Sequence, residues 1–285
     1  MVGATPVVDY RNIGNIVYFG YGTTHFQSIA LRAGAQLTGA EVFLVAGVPS
    51  GSIVIERGAS INTVGRGAPG FDSSTGFTYR PGPASVVAVS NGWINLLPPD
   101  ADQPPVGAGA IRIGACGPAA CAGEAQLYSE GTIAFATNKA FELDNAARYG
   151  ARYLTLAVGS VNAGSEQALA DAAARGGLSS GLTLNQTLLD RLMAGDRQHG
   201  APALEMLTLA VSDSFNFFNN VVLDTLDPAT GKSRLRTLAL TAPAIYGYGQ
   251  AGDAATIRAG NLIWNGAVSA PAGVVNNGAG TGQGR

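Results

Sequence analysis

Residues 51–67 read GSIVIERGASINTVGRG, and this stretch decides the fold. Ile53, Ile55 and Ile61 fall on one side of an extended chain, because side chains alternate with period two along a strand. Ser52, Val54 and Glu56 fall on the other. Gly58 stands where the chain must turn between the two short runs, and glycine takes a positive φ without steric cost. The same unit, an apolar run, an Arg near a Gly and a second apolar run, recurs as SIALRAGAQLTG (28–39) and as ATIRAGNLIWNG (255–266). Between them GTIAFATNKAFELD (131–144) alternates on Ile133, Phe135, Phe141 and Leu143. RYLTLAVGSVN (152–162) alternates on Leu154, Leu156 and Val158, with Val161 after a turn. Further runs lie at 204–211, 221–226, 235–240 and 262–264. Short period-two runs at short intervals predict an all-β protein. Sandwich, barrel and parallel β-solenoid all satisfy that pattern. Similar units at uneven spacing, and alternation on both sides of a lone Gly, favour the solenoid, whose coils carry loops of different length.

Composition points the same way. The chain has 285 residues, of which 46% are hydrophobic and 13% charged. A typical soluble domain is about 25% charged. Stacked coils set like residues above one another, where like charges repel, so a charge-poor chain suits a stack. The 40 Gly and 14 Pro suit turns; inside helices each Gly would cost about 1 kcal/mol. A net charge of −2 provides no basic stripe for nucleic acid. The longest apolar runs, such as 42–48, are far short of the roughly 20 residues that span a bilayer, so no transmembrane segment is expected. Residues 1–15 show no basic region followed by an apolar stretch, so they do not read as a secretory signal.

The scaffold is expected over residues 1–269. Residues 66–107 are read as Gly/Pro/Ser-rich loops leaving it, with a strand pair at 86–89 and 93–97. SEQALADAAAR (165–175) breaks the β pattern: Ser165 is a plausible N-cap and Gly176-Gly177 a stop. A second helix is expected over about 183–194, with Leu184, Leu188, Leu189 and Leu192 on one face and Gly195 ending it. Residues 165–198 thus read as a helical hairpin inserted between strands. It is either a packing insert or a recognition element, the latter presenting Leu184, Leu188, Asp190 and Arg191. Residues 270–285 read as a Gly-rich linker or disordered tail.

Chemistry-bearing residues are sparse. Two His, His25 and His199, and two Cys, Cys116 and Cys121, leave little for a metal site or a His-dependent triad. No cofactor, metal or catalytic residue is expected. GYGQAG (247–252) matches G-x-G-x-x-G, but the strand-like DAATIRAGNLIW follows where a dinucleotide site needs a helix. A turn is therefore expected there. Asp100/Asp102, Glu124/Glu130 and Asp224/Asp227 are the carboxylate pairs open to a glycan-cleaving role, and none forms a convincing cluster. Phe215, Phe217 and Phe218 with Asn216, Asn219 and Asn220 read as core aromatic and Asn ladders, or as a glycan platform. Tyr246 and Tyr248 read as loop residues packing on the scaffold.

Five longer phrases occur in order: YSEGTIAFAT (128–137), RYGARYLTLAVGSVNAG (148–164), LNQTLLDRL (184–192), GAPALEMLTLAVSDSFNF (200–217) and PAIYGYGQAGDAATI (243–257). Together they resemble the filamentous-haemagglutinin family of large secreted exoproteins of Gram-negative bacteria. The resemblance covers roughly 128–267, and 1–127 more by style. It implies a right-handed parallel β-helix; carrying the helical insertion read above, about ten coils would stand roughly 50 Å tall at about 4.8 Å per coil. It implies export by an outer-membrane two-partner transporter. At the cell surface the shaft would serve as an adhesin or present a toxin in contact-dependent inhibition, meeting a receptor or glycan on a host or bacterial cell. An amino-terminal secretion module and a carboxy-terminal toxin domain are not seen, so an internal segment of a longer stack is expected. In an extracytoplasmic chain Cys116 and Cys121 are expected to form a disulfide, whose small loop is worth about 2 kcal/mol. The rival readings are a polysaccharide-cleaving β-helix, and a receptor-binding module built on 165–198.

Overall fold

The computed structural model describes residues 10–13, 16–19, 28–47, 51–69, 77–79, 81–99, 109–117 and 121–266. Strands make up 51% of the chain and helices 10%, which makes it an all-β protein with parallel sheets. The 51–67 stretch forms two strands, Ser52–Glu56 and Ser60–Asn62, with Gly58 between them at φ 82°. They enter different sheets. One four-stranded sheet runs Ala140–Leu143, Ala110–Ala115, Ser52–Glu56, Ser28–Leu31. A second runs Ala147–Gly150, Ala125–Tyr128, Ser60–Asn62, Gln36–Thr38. Every pairing in both is parallel.

The third sheet is long. Its order is Tyr10–Ile13, Ile16–Phe19, Glu41–Ala46, Ser85–Ser90, Thr132–Thr137, Tyr153–Gly164, Met206–Phe218, Thr237–Thr241, Leu262–Asn265. These are nine strands in line, roughly 38 Å at about 4.8 Å per step. The chain visits the three sheets in turn: Ser28–Leu31, Gln36–Thr38, Glu41–Ala46, and later Ala110–Ala115, Ala125–Tyr128, Thr132–Thr137. Equivalent side chains therefore stack. Ile29, Ile53, Ile111 and Phe141 share one column. Leu37, Ile61, Leu127 and Tyr149 share another, and Ile133, Leu154, Leu207 and Leu238 a third. Almost all of these are buried in a single interior core, each large apolar side chain adding about 1.5–3 kcal/mol.

Residues 66–107 do not simply leave the scaffold, as the sequence suggested. Ser85–Ser90 is a member of the long sheet, antiparallel to both Glu41–Ala46 and Thr132–Thr137. All six of its residues are buried. Val87 and Val89 face the interior, while Val86 and Ala88 join Phe43, Ala134 and Ala136 on the outer face. Nor do the two expected strands pair with each other. Ile94–Leu96 pairs instead with Phe77–Tyr79, parallel, and Ile94 and Leu96 cover that outer face. A run apolar on both sides needs cover on both sides, and this segment supplies the second layer.

Helix α1 (Glu166–Ala174) is capped by Ser165, whose hydroxyl accepts from Ala168 N, and Gly176 at φ 67° turns the chain away. Ala168, Leu169 and Ala172 pack on Phe218 and Leu178, outside the long sheet. Helix α2 (Gln186–Ala194) is capped by Asn185. The expected helical hairpin is not formed, because Gly181–Leu184 between the helices is a strand, parallel to Ser160–Ala163 of the long sheet. Leu182 and Leu184 both enter the core on period-two spacing, and that burial outweighs the helical spacing of Leu184 with Leu188. The 270–285 tail lies outside the described residues.

Candidate functional site

Of the four residues expected on a recognition surface, Leu184 is fully buried and faces the core. Leu188 is half-buried and packed against that core. Arg191 donates to the carbonyls of Leu143 and Asp144 at 3.0 and 2.8 Å. Asp190 accepts from Gln186 and pairs with Arg234. All four fasten α2 to the scaffold.

The candidate acids also have local work. Glu124 pairs with Arg148 at 2.8 Å, and Glu130 accepts from Gly65 N at 3.2 Å. Asp224 accepts from Leu226 N and pairs with Arg258. Asp227 accepts from Ala229 and Thr230 N–H, and these bonds hold its carboxyl below the usual range. Asp100, Asp102 and His25 lie outside the described residues. Among the described residues no three His, Cys, Asp or Glu gather as metal ligands. Cys116 and Cys121 are joined by a disulfide, their Cα atoms 4.5 Å apart. Gly247 and Tyr248 end the strand Ala244–Tyr248, which also holds Tyr246, so the two tyrosines are strand residues and not loop residues. The turn follows at 249–254, where Gln250 N donates to Asp253 Oδ2 at 2.7 Å. The strand Ala255–Arg258 follows that turn.

One polar cluster escaped the sequence reading. Tyr128 donates its hydroxyl to Asp196 Oδ2 at 2.6 Å, and the His199 ring lies 4.6 Å from the Tyr128 ring. Burial, then the Asp196 bond, push the Tyr128 phenol well above its usual range. Asp196 N in turn donates to Tyr149 O at 2.7 Å. The cluster pins the segment after α2 to the second short sheet. Its members are separated by about 70 residues, and only the strand register brings them together.

The Phe/Asn-rich stretch divides by alternation. Phe215 and Phe217 face the interior with rings 5.2 Å apart, while Asn216 and Phe218 face outward. Asn216 shares a register position with Asn162 and donates to its Oδ1 at 3.0 Å, whereas its own Oδ1 is buried without a partner. Asn219 and Asn220 are exposed and stand apart from this ladder.

The outward face carries a groove of about 440 Å³ between α1 and the turn after Tyr248. Phe218 forms its wall, buried by Ala168, Leu169 and Ala172. Tyr248 is the register partner of Phe218 on the next strand, and the two rings stack at 4.9 Å and 14°. Arg175, Asn219 and Gln250 complete the lining. Tyr248 is 48% exposed, so it is no mere packing residue.

A second exposed apolar surface lies on the last described strand, where Leu262, Ile263 and Trp264 are 39%, 40% and 38% exposed. No described helix is long and apolar enough to cross a membrane. No family model, no curated protein and no solved structure matches the chain.

Proposed function

We propose that the chain winds as a right-handed parallel β-helix. On this reading it is a structural segment of a large secreted exoprotein, serving as an adhesin or toxin-presenting shaft on a Gram-negative cell. The observation that carries this reading is the in-register parallel pairing of strands that visit three sheets in turn. Such winding adds length with each circuit and fills its interior with stacked side chains. Its product is reach, a tall column with a solid core. The right hand follows from the strong preference of parallel crossovers, about 98%. Antiparallel pairing enters the long sheet at Ser85–Ser90 and between Tyr10–Ile13 and Ile16–Phe19; its other strand pairs are parallel. The phrases between 128 and 257 that resemble filamentous-haemagglutinin exoproteins support this reading. An outer-membrane two-partner transporter then exports the parent chain, and the folded shaft stands outside the cell.

An antibody raised against the purified chain tests this. It is expected to label intact producing cells, and the label is expected to vanish when the partner transporter is deleted. Labelling only after permeabilisation would overturn the reading.

A further inference from the structure

We infer that the groove between α1 and Tyr248 is a saccharide-binding subsite that takes an acidic sugar. Phe218 is 6% exposed and is clamped by Ala168, Leu169 and Ala172. It fixes the Tyr248 ring that stacks on it. Phe218 stacks on one face of Tyr248, the Tyr246 ring tilts toward it at 6.4 Å, and about half of Tyr248 stays exposed. A pinned, half-exposed aromatic ring suits the flat C–H face of a pyranose, burying apolar area at little cost in side-chain entropy. The remaining lining suits hydroxyls. Asn219, held at φ 56° with its N–H on Tyr248 O, and Gln250 both offer amides beside the ring.

Arg175 decides the charge. Arg57, Arg112 and Arg148 each pair with a carboxylate from another layer of the stack. Arg175 has no ion pair among the described residues and lies on the groove wall. Arg175 is the one charged residue of the lining, and the nearby Asp253 carboxylate is already taken up by Gln250 N and Asn220 Nδ2. The carbonyls of Ala172 and Ala173 at the end of α1 already accept from Gly177 and Gly176 N–H, which reduces their repulsion of an anion. A guanidinium takes a carboxylate through two parallel bonds. Without a carboxylate in it, the groove has neither acid nor base for glycosidic cleavage; it binds.

This names a ligand class for the proposed shaft and rests on that reading for its place outside the cell. Binding by the purified chain and surface labelling on cells are separate readouts, and either can fail alone. The full chain is titrated calorimetrically with 3′-sialyllactose and digalacturonate, with lactose as the neutral comparison. At least one acidic sugar is expected to bind, at least tenfold tighter than lactose. Tyr248→Ala should weaken that binding at least tenfold, and Arg175→Gln should erase the preference over lactose. If Tyr248→Ala loses the folded circular-dichroism spectrum, Gln250→Ala and Arg175→Gln on the exposed rim carry the test. Binding of neither acidic sugar, equal binding of lactose, or unchanged binding in the rim variants would overturn the inference.

Discussion

Charged side chains in this stack meet across layers. Arg112 and Glu142 share a register position and lie 3.1 Å apart. Arg152, Glu205 and Arg236 precede three strands paired in register, and Glu205 lies 3.6 and 3.7 Å from the two guanidiniums. Exposed pairs contribute about 0–1 kcal/mol each, so their main effect is on register, since a slip would set like charges together. Glu41 is different. It is 1% exposed; one oxygen accepts from Ser90 Oγ at 2.7 Å and the other has no partner. Burial raises its pKa above the ordinary carboxylate value, and the Ser90 bond offsets this only in part. The folded state therefore holds the proton to higher pH than the unfolded chain does. The resulting stability is full below the unfolded value of 4.5 and is lost as pH rises through the folded one. Asp144 runs the other way: the Ala146 N–H, then Arg57, lower its pKa, so its contribution is lost as pH falls. A Glu41→Gln variant isolates the first effect. Relative to wild type its urea midpoint should rise by pH 8, by about 1 kcal/mol in stability, with a smaller gain or none at pH 4. The same difference at both pH values would refute the account.

Helix α2 has nine residues, too few to persist alone in water. It stands because Leu189, Leu192 and Met193 enter the core and because Asn185 Oδ1 accepts from Leu188 N at 2.8 Å. Asn185→Ala should cost about 1 kcal/mol in urea unfolding and Asn185→Asp almost nothing. Equal losses would mean that the side chain acts through something other than the cap. Local chemistry of this kind is legible in the residue order alone. Ser165, Gly176 and the alanines between them place α1 within a residue, and alternation places Ser52–Glu56, Thr132–Thr137 and Tyr153–Gly164. What pairs with what is not written locally. Thr183 and Leu184 read as the start of a helix until Ser160–Ala163 is set beside GLTL at 181–184. Ser85–Ser90 alternates identically in either direction, so its antiparallel entry leaves no mark on the residue pattern. The groove depends on Tyr248 standing opposite Phe218, 30 residues earlier, and on α1 closing over both. Alternation could have placed Phe218 on the outer side, opposite to Phe217, but could not have named its neighbour.

A column in which each layer touches mainly the next has stability that varies along its length. Tyr153–Gly164 and Met206–Phe218 share eleven register positions and are flanked by further strands on both sides. Among the described residues Leu262–Asn265 has four register positions and a single neighbour, and its Leu262, Ile263 and Trp264 are exposed. Opening that strand exposes little new apolar surface, whereas opening Tyr153–Gly164 breaks two interfaces of the interior core. Amide protection should therefore climb from the 262–265 end toward 153–164, the end opening at a small fraction of the global free energy. Hydrogen exchange read peptide by peptide measures that gradient. Substitution sharpens the test. Trp264→Ala should quicken exchange only near 255–265. Leu209→Ala removes a fully enclosed side chain from the middle of the stack, at about 2–5 kcal/mol, and should quicken exchange throughout. If protection is flat from 121 to 266, or if Trp264→Ala speeds exchange at 153–164 as much as at its own strand, the layers unfold as one body. A description built on neighbouring layers then fails.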